Sequence, residues 1–122
     1  MATRGIRGAT TVERNDRDLI LHATHELLDA IVRLNGLRAE DIAYVWFTVT
    51  QDLDAEFPAF AARELGWTEV PLMCGREIPV PGALPYCIRA LISWNTSKSQ
   101  HEVRHVFLHR AKELRPAWAV EL

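Results

Sequence analysis

The chain is predicted to adopt an α/β (α+β) fold, with a mixed sheet of about five strands and two main helices. Three observations predict it. Leu19, Ala23, Leu27, Ile31 and Leu34 recur at helical spacing. The runs IAYVWFTVT at 42–50 and CIRALISW at 87–94 are nearly unbroken apolar stretches rich in β-branched and aromatic residues, as in strands covered on both faces. Read in order, the elements alternate as β-α-β-α-β-β-β, which suits a layered sheet with helices on it. With 122 residues, 48% of them hydrophobic and 25% charged, the chain fits one domain over 1–122 with a packed core.

The first strand is read over 3–12, TRGIRGATTV. Gly5 and Gly8 flank Arg7 there, and glycine in a strand marks a close approach or a bulge, so Arg7 is expected where little else fits. Asn15 or Asp16 caps the first helix, which ends at Asn35-Gly36. The strand over 42–50 follows. Pro58 suits the first turn of a shorter helix ending at Gly66. Trp67 to Met73 is read as a short strand, an edge or broken one because of Pro71. Tyr86 to Asn95 is the next buried strand, and Glu102 to Leu108 the last, followed by a helical turn and an irregular end. Two helices cover only one sheet face. The apolar character of both faces of the central strands therefore predicts a closed homo-oligomer.

A net charge of −2 leaves no basic surplus for general nucleic-acid binding. No apolar run is long enough to span a bilayer, and the N-terminus has no apolar signal core, so a cytoplasmic protein is expected, with no membrane partner. Cys74 and Cys87 make no CxxC pair and are expected as reduced thiols. His101, His105 and His109 are four apart, a zinc-like spacing on a helix, but EVRHVFL reads as a strand and does not align them, so no metal site is expected. His22 and His25 lie on the first helix and are expected to face Glu26 on a solvated surface.

Arginine carries the remaining chemistry. Arg89 sits inside an apolar run, where a guanidinium is costly to bury unless an anion meets it. The segment Cys74–Arg89 therefore reads as one wall of a pocket for an anionic ligand, with Glu77 and Arg89 as its polar groups. Arg7 has a similar strand setting. The guanidinium fork suits carboxylates and stays charged near neutral pH, which points to a substrate carrying carboxylates.

Four blocks, in order, carry a family resemblance: RGIRGATTVER at 4–14, FTVTQDLDAEFPAFAARELGW at 47–67, the VPL-C-x-x-E-x-x-V-x-G-x-L-x-x-C-I-R pattern at 70–89 and VRHVFLHRAKELRP at 103–116. Together they resemble the AroH-type chorismate mutases over nearly the whole chain. The resemblance implies a cofactor-free homotrimer with a barrel-like (pseudo-α/β-barrel) core and active sites between subunits, converting chorismate to prephenate in aromatic amino-acid biosynthesis. It implies that Arg89 donates to the breaking ether oxygen, Arg7 holds the enolpyruvyl carboxylate, and Glu77 and the backbone at Cys74 meet the ring hydroxyl. Phe57 of a neighbour would line the apolar wall, with Ala59, Phe60 and Met73 around the substrate. Leu114 would close over it, and Arg63 and Arg115 would stand near the mouth. The chain departs from the pattern at Phe107, where many members have Tyr, and at Phe60, often Lys; weaker ground-state binding is expected from both. A trimeric enamine or imine deaminase and a non-catalytic metabolite-binding trimer are the alternative readings.

Overall fold

The computed structural model describes residues 1–122. The elements are β1 (Ala2–Thr11), α1 (Arg17–Asn35), β2 (Ile42–Val49), α2 (Ala59–Glu64), β3 (Leu72–Arg76), β4 (Cys87–Thr96) and β5 (Val106–Phe107). Short 3-10 turns lie at Ala39–Asp41, Gln100–Glu102, His109–Glu113 and Pro116–Trp118. All five strands form one mixed sheet in the order β3-β2-β4-β1-β5. β4 runs antiparallel to both β1 and β2, whereas β3 is parallel to β2 and β5 parallel to β1.

α1 starts and stops where its caps dictate. The Asp16 carboxylate accepts the Leu19 amide at 3.0 Å, and Gly36 takes the left-handed conformation, φ 66°, that closes the last turn. The helix buries Ile20, Leu27, Leu28 and Ile31 against Ile6, Val45, Phe47, Ala90 and Ile92, the inward residues of β1, β2 and β4. Contact with β1 is close because of one glycine. A Cβ on Gly8 would lie 2.8 Å from Ile31 Cδ1 and 3.2 Å from Leu27 Cδ1.

Two elements differ from expectation, each for a local reason. The strand expected over Trp67–Met73 is instead Leu72–Arg76. Trp67 closes α2, its amide donating to the Ala62 carbonyl at 3.1 Å, and Pro71 has no N–H to give, so pairing with β2 starts at Leu72. The strand expected over Glu102–Leu108 shrinks to Val106–Phe107. Glu102 is held in a 3-10 turn by a reciprocal cap with Ser99. The backbone of Arg104 is taken on both sides by the buried Asn35 amide, whose Nδ2 donates to the Arg104 carbonyl and whose Oδ1 accepts the Arg104 amide, both at 2.9 Å.

Burial is one-sided in this chain. The face of the sheet away from α1 leaves Tyr44, Trp46 and Leu91 each about two-fifths exposed and Met73 59% exposed. Within the single chain, burial along β2 follows the same division; the cover expected on the second face was that of neighbouring copies. No helix is long and apolar enough to cross a membrane.

Candidate functional site

Strand register gathers the predicted arginines. Residues directly opposite on neighbouring strands share a face, and so do residues two apart on one strand. Ala9 pairs with Arg89 and Arg7 with Leu91 across β1 and β4. Arg89 pairs in turn with Thr48, and Thr48 with Gly75. Arg7, Arg89, Thr48 and Glu77 therefore all lie on the face away from α1. Phe107, paired with Ala9, completes the row on the β5 side.

Glu77 lies just past β3, with its amide on the Val49 carbonyl at 2.9 Å. Its carboxylate accepts the Thr48 hydroxyl, and Oε2 stands 3.6 Å from Arg89 Nε. That distance leaves an ion pair and no hydrogen bond. Arg89 Nε is shut off from solvent and has no hydrogen-bond partner. A buried charged donor without an acceptor is costly, and the Glu77 carboxylate at 3.6 Å offsets that cost; with the Arg89 side chain 28% exposed, the rest of it stays open to an anion.

Arg7 and Arg115 reinforce the positive field. Burial pushes the Arg7 guanidinium below the usual arginine range; repulsion from Arg89 and then Arg115 adds to this, while Glu77 opposes it. Arg7 lies 5.4 Å over the Phe107 ring, and Arg115 lies 3.6 Å over Trp118. Phe107 is fully buried, in a small cluster with Ala9 and Ala111, against which Leu114 and Trp118 pack. It thus backs the Arg7 side chain. Cys87, two residues before Arg89, is also buried, and burial pushes its thiol up more strongly than the neighbouring guanidinium pulls it down.

The other predicted site residues sit elsewhere in the same chain. Phe57, Pro58, Cys74 and Arg76 line a hollow of about 340 Å³ beside α2. Phe57 is 69% exposed. Burial raises the Cys74 thiol, against the opposing pull of the Ala59 backbone and of the Arg63 charge. Phe60 is covered on one side by Arg17, 5.5 Å above its ring, which in turn binds Glu56 at 3.0 Å. Met73 lies on the open sheet face next to Trp46. α2 packs on α1 and β3, so this group and the Arg7–Phe107–Arg115 group lie towards opposite edges of the sheet. The largest hollow, about 620 Å³ between α1 and His109–Arg110, contains none of Arg7, Arg89 and Arg115. It is lined by Glu13, His22, Glu26, His109 and Arg110 and gathers no comparable set of guanidiniums, so the arginine face is the better candidate.

Three contributors were given no role in this site from the sequence: Thr48, which orients Glu77; Trp118, which carries Arg115; and His105, whose Nδ1 accepts the Arg7 amide at 2.9 Å. Alternation along β2 hinted at Thr48, but the other two required knowledge of which segments meet. Of the two histidines expected to face Glu26, His25 pairs with Glu64 at 2.9 Å instead, and Glu26 is taken by His109 at 2.7 Å. No set of three or more His, Cys, Asp or Glu side chains is placed to hold a metal ion, and both cysteines are free.

What the fold and the site define is an α+β protein whose open sheet face carries three convergent guanidiniums and a single carboxylate, an arrangement for a small polyanion. The family model for chorismate mutase type I matches residues 3–118. A chorismate mutase AroH of Thermus thermophilus is 53% identical over 114 residues, 93% of each chain. One from Bacillus subtilis is 45% identical over 117 residues, covering 95% of this chain and 92% of that one. A solved chorismate mutase of Clostridium thermocellum superposes with a TM-score of 0.88 at 50% identity, covering 89% of this chain and 97% of the other. The chain belongs to the chorismate mutase type I family, whose reaction is an isomerisation.

Proposed function

We propose that residues 1–122 form one catalytic domain that rearranges chorismate to prephenate as a cytoplasmic homotrimer, with each active site shared between neighbouring copies. The observation that carries the reading is the part-exposed Arg89 side chain, ion-paired to Glu77 and set amid Arg7 and Arg115. Sharing between copies is supported by the two half-sites near opposite sheet edges, by the exposed Phe57, and by the open apolar face at Tyr44, Trp46 and Leu91. Closing that face around a three-fold axis gives the barrel-like core.

The reaction is a unimolecular Claisen rearrangement. One C–O bond breaks, one C–C bond forms, and no proton moves. Two effects supply the rate. The pocket selects the folded conformer that brings the two carbon termini together, and a fixed cation stabilises the negative charge growing on the ether oxygen. Arg89 is that cation. Glu77 holds it to one side through the ion pair and meets the ring hydroxyl together with the Cys74 backbone. Arg7 holds a substrate carboxylate, an interaction equal in ground and transition states that sets binding more than turnover. Phe57, Ala59, Phe60 and Met73 wall the pocket from the neighbouring copy, Leu114 closes it, and Arg63 and Arg115 draw the dianion to its mouth. Purified protein mixed with chorismate tests the reading directly: absorbance loss with prephenate formation is expected, and the absence of both would overturn it. A stable monomer in sedimentation at micromolar concentration would refute the trimer.

A further inference from the structure

His105 stands beside the substrate arginines and has no part in the scheme above. Its backbone lies one residue before the two-residue strand β5, which pairs with β1 at Gly8–Val106 and Ala9–Phe107. If that parallel ladder ran one rung further, the Arg7 amide would donate to the Arg104 carbonyl. Asn35 Nδ2 occupies that carbonyl at 2.9 Å. The His105 ring substitutes for it, its Nδ1 accepting the Arg7 amide at 2.9 Å. The same ring stacks on Trp118 with centroids 4.0 Å apart, and Trp118 carries the Arg115 guanidinium on its face at 3.6 Å.

We propose that His105 is a positioning residue for the rearrangement: one nitrogen fixes the strand position of Arg7, and the ring face ties the C-terminal turn bearing Arg115 to that strand. This rests on the reading of Arg7 as a ligand for a substrate carboxylate. The bond requires a neutral imidazole with its proton on Nε2. The surroundings keep it so. Burial, then the charges of Arg7 from β1 and Arg115 from the turn after His109–Glu113, lower its pKa, and the Pro116–Trp118 turn presents only the indole. Protonation would remove the acceptor and add a charge among guanidiniums. Because the folded state binds this proton less readily than the unfolded chain, the contribution is complete above the ordinary histidine range and fades as pH falls below it.

The test is steady-state kinetics on chorismate with His105→Ala, His105→Asn, His105→Gln and Arg7→Ala, between about pH 5 and 8. His105→Ala is expected to raise KM roughly five- to tenfold with kcat within about twofold, the scale of one hydrogen bond acting through a binding residue. Asn places its oxygen where Nδ1 stood and is expected to restore KM near pH 7; Gln, whose oxygen reaches the Nε2 position, is not. The native protein should lose kcat/KM on the acid side of about pH 6.5, and His105→Asn should stay flatter there. Asn no better than Ala, or an acid limb unchanged in His105→Asn, overturns the proposal. If Arg7→Ala leaves KM unchanged, the reading of Arg7 fails and the proposal fails with it; if Arg7→Ala raises KM but no His105 variant does, only the role of His105 fails.

Discussion

The two faces of the one sheet invite comparison, because the same three strands build both. On the helix side, Ile6, Gly8, Val45, Phe47, Ala90 and Ile92 meet α1, Thr10 adds a buried hydroxyl, and one backbone approach is so close that a side chain larger than glycine's would push Ile31 and Leu27 aside. On the other side, one residue away along each strand, stand Arg7, Trp46, Thr48, Arg89 and Leu91. The first face is covered within the chain. The second leaves arginine and aromatic surface open to solvent. Even and odd positions of a strand can thus serve separate ends, with stability vested in one set and chemistry in the other.

Substitutions on each face separate these roles. Arg89→Ala should produce the largest effect, lowering kcat roughly 100–1,000-fold, the scale found when a donor to developing oxyanion charge is removed; circular dichroism and sedimentation should be unchanged, and retention of most of kcat would remove Arg89 from its role. Arg89→Lys should also be poor, since an ammonium cannot reproduce the fork. Trp46→Glu, on the open face but away from the arginines, should shift the assembly towards monomer in sedimentation and reduce activity along with it; an intact trimer would show that this face is not the seam. On the helix side, Gly8→Val should cost about 1–3 kcal/mol through overpacking against Ile31 and Leu27, read as a lower thermal midpoint with little change in KM. Phe107→Tyr should have the smallest effect, lowering KM roughly two- to fivefold. A larger gain in kcat than in KM would mean that the hydroxyl acts in the transition state.

Much of this was legible in the sequence where one element decides its own fate. α1 announces both its ends through Asp16 and Gly36, and β2 and β4 are long, β-branched and apolar. What was not legible depends on a distant partner. Nothing local to EVRHVFL reveals that Asn35, 69 residues away from Arg104, will take its backbone. The site divides the same way. Arg7, Arg89 and Glu77 could be picked out as charges in apolar or Pro-bounded settings, whereas Thr48, His105 and Trp118 acquire meaning only through cross-strand register and a C-terminal turn that folds back beside β5, where the Val120 amide reaches the Phe107 carbonyl at 3.0 Å.

Phe57 lies beside α2 and Arg89 on the open face of the central strand β4, and their separation within one chain has a genetic consequence. Where each catalytic centre draws its guanidinium from one copy and its apolar wall from the next, two separately inactive variants can repair each other. Subunits carrying Arg89→Ala, co-assembled with subunits carrying Phe57→Asp, would regenerate some native centres at junctions where the undamaged halves face each other. Each pure variant would remain silent, and a mixture would regain a fraction of turnover set by the statistics of assembly.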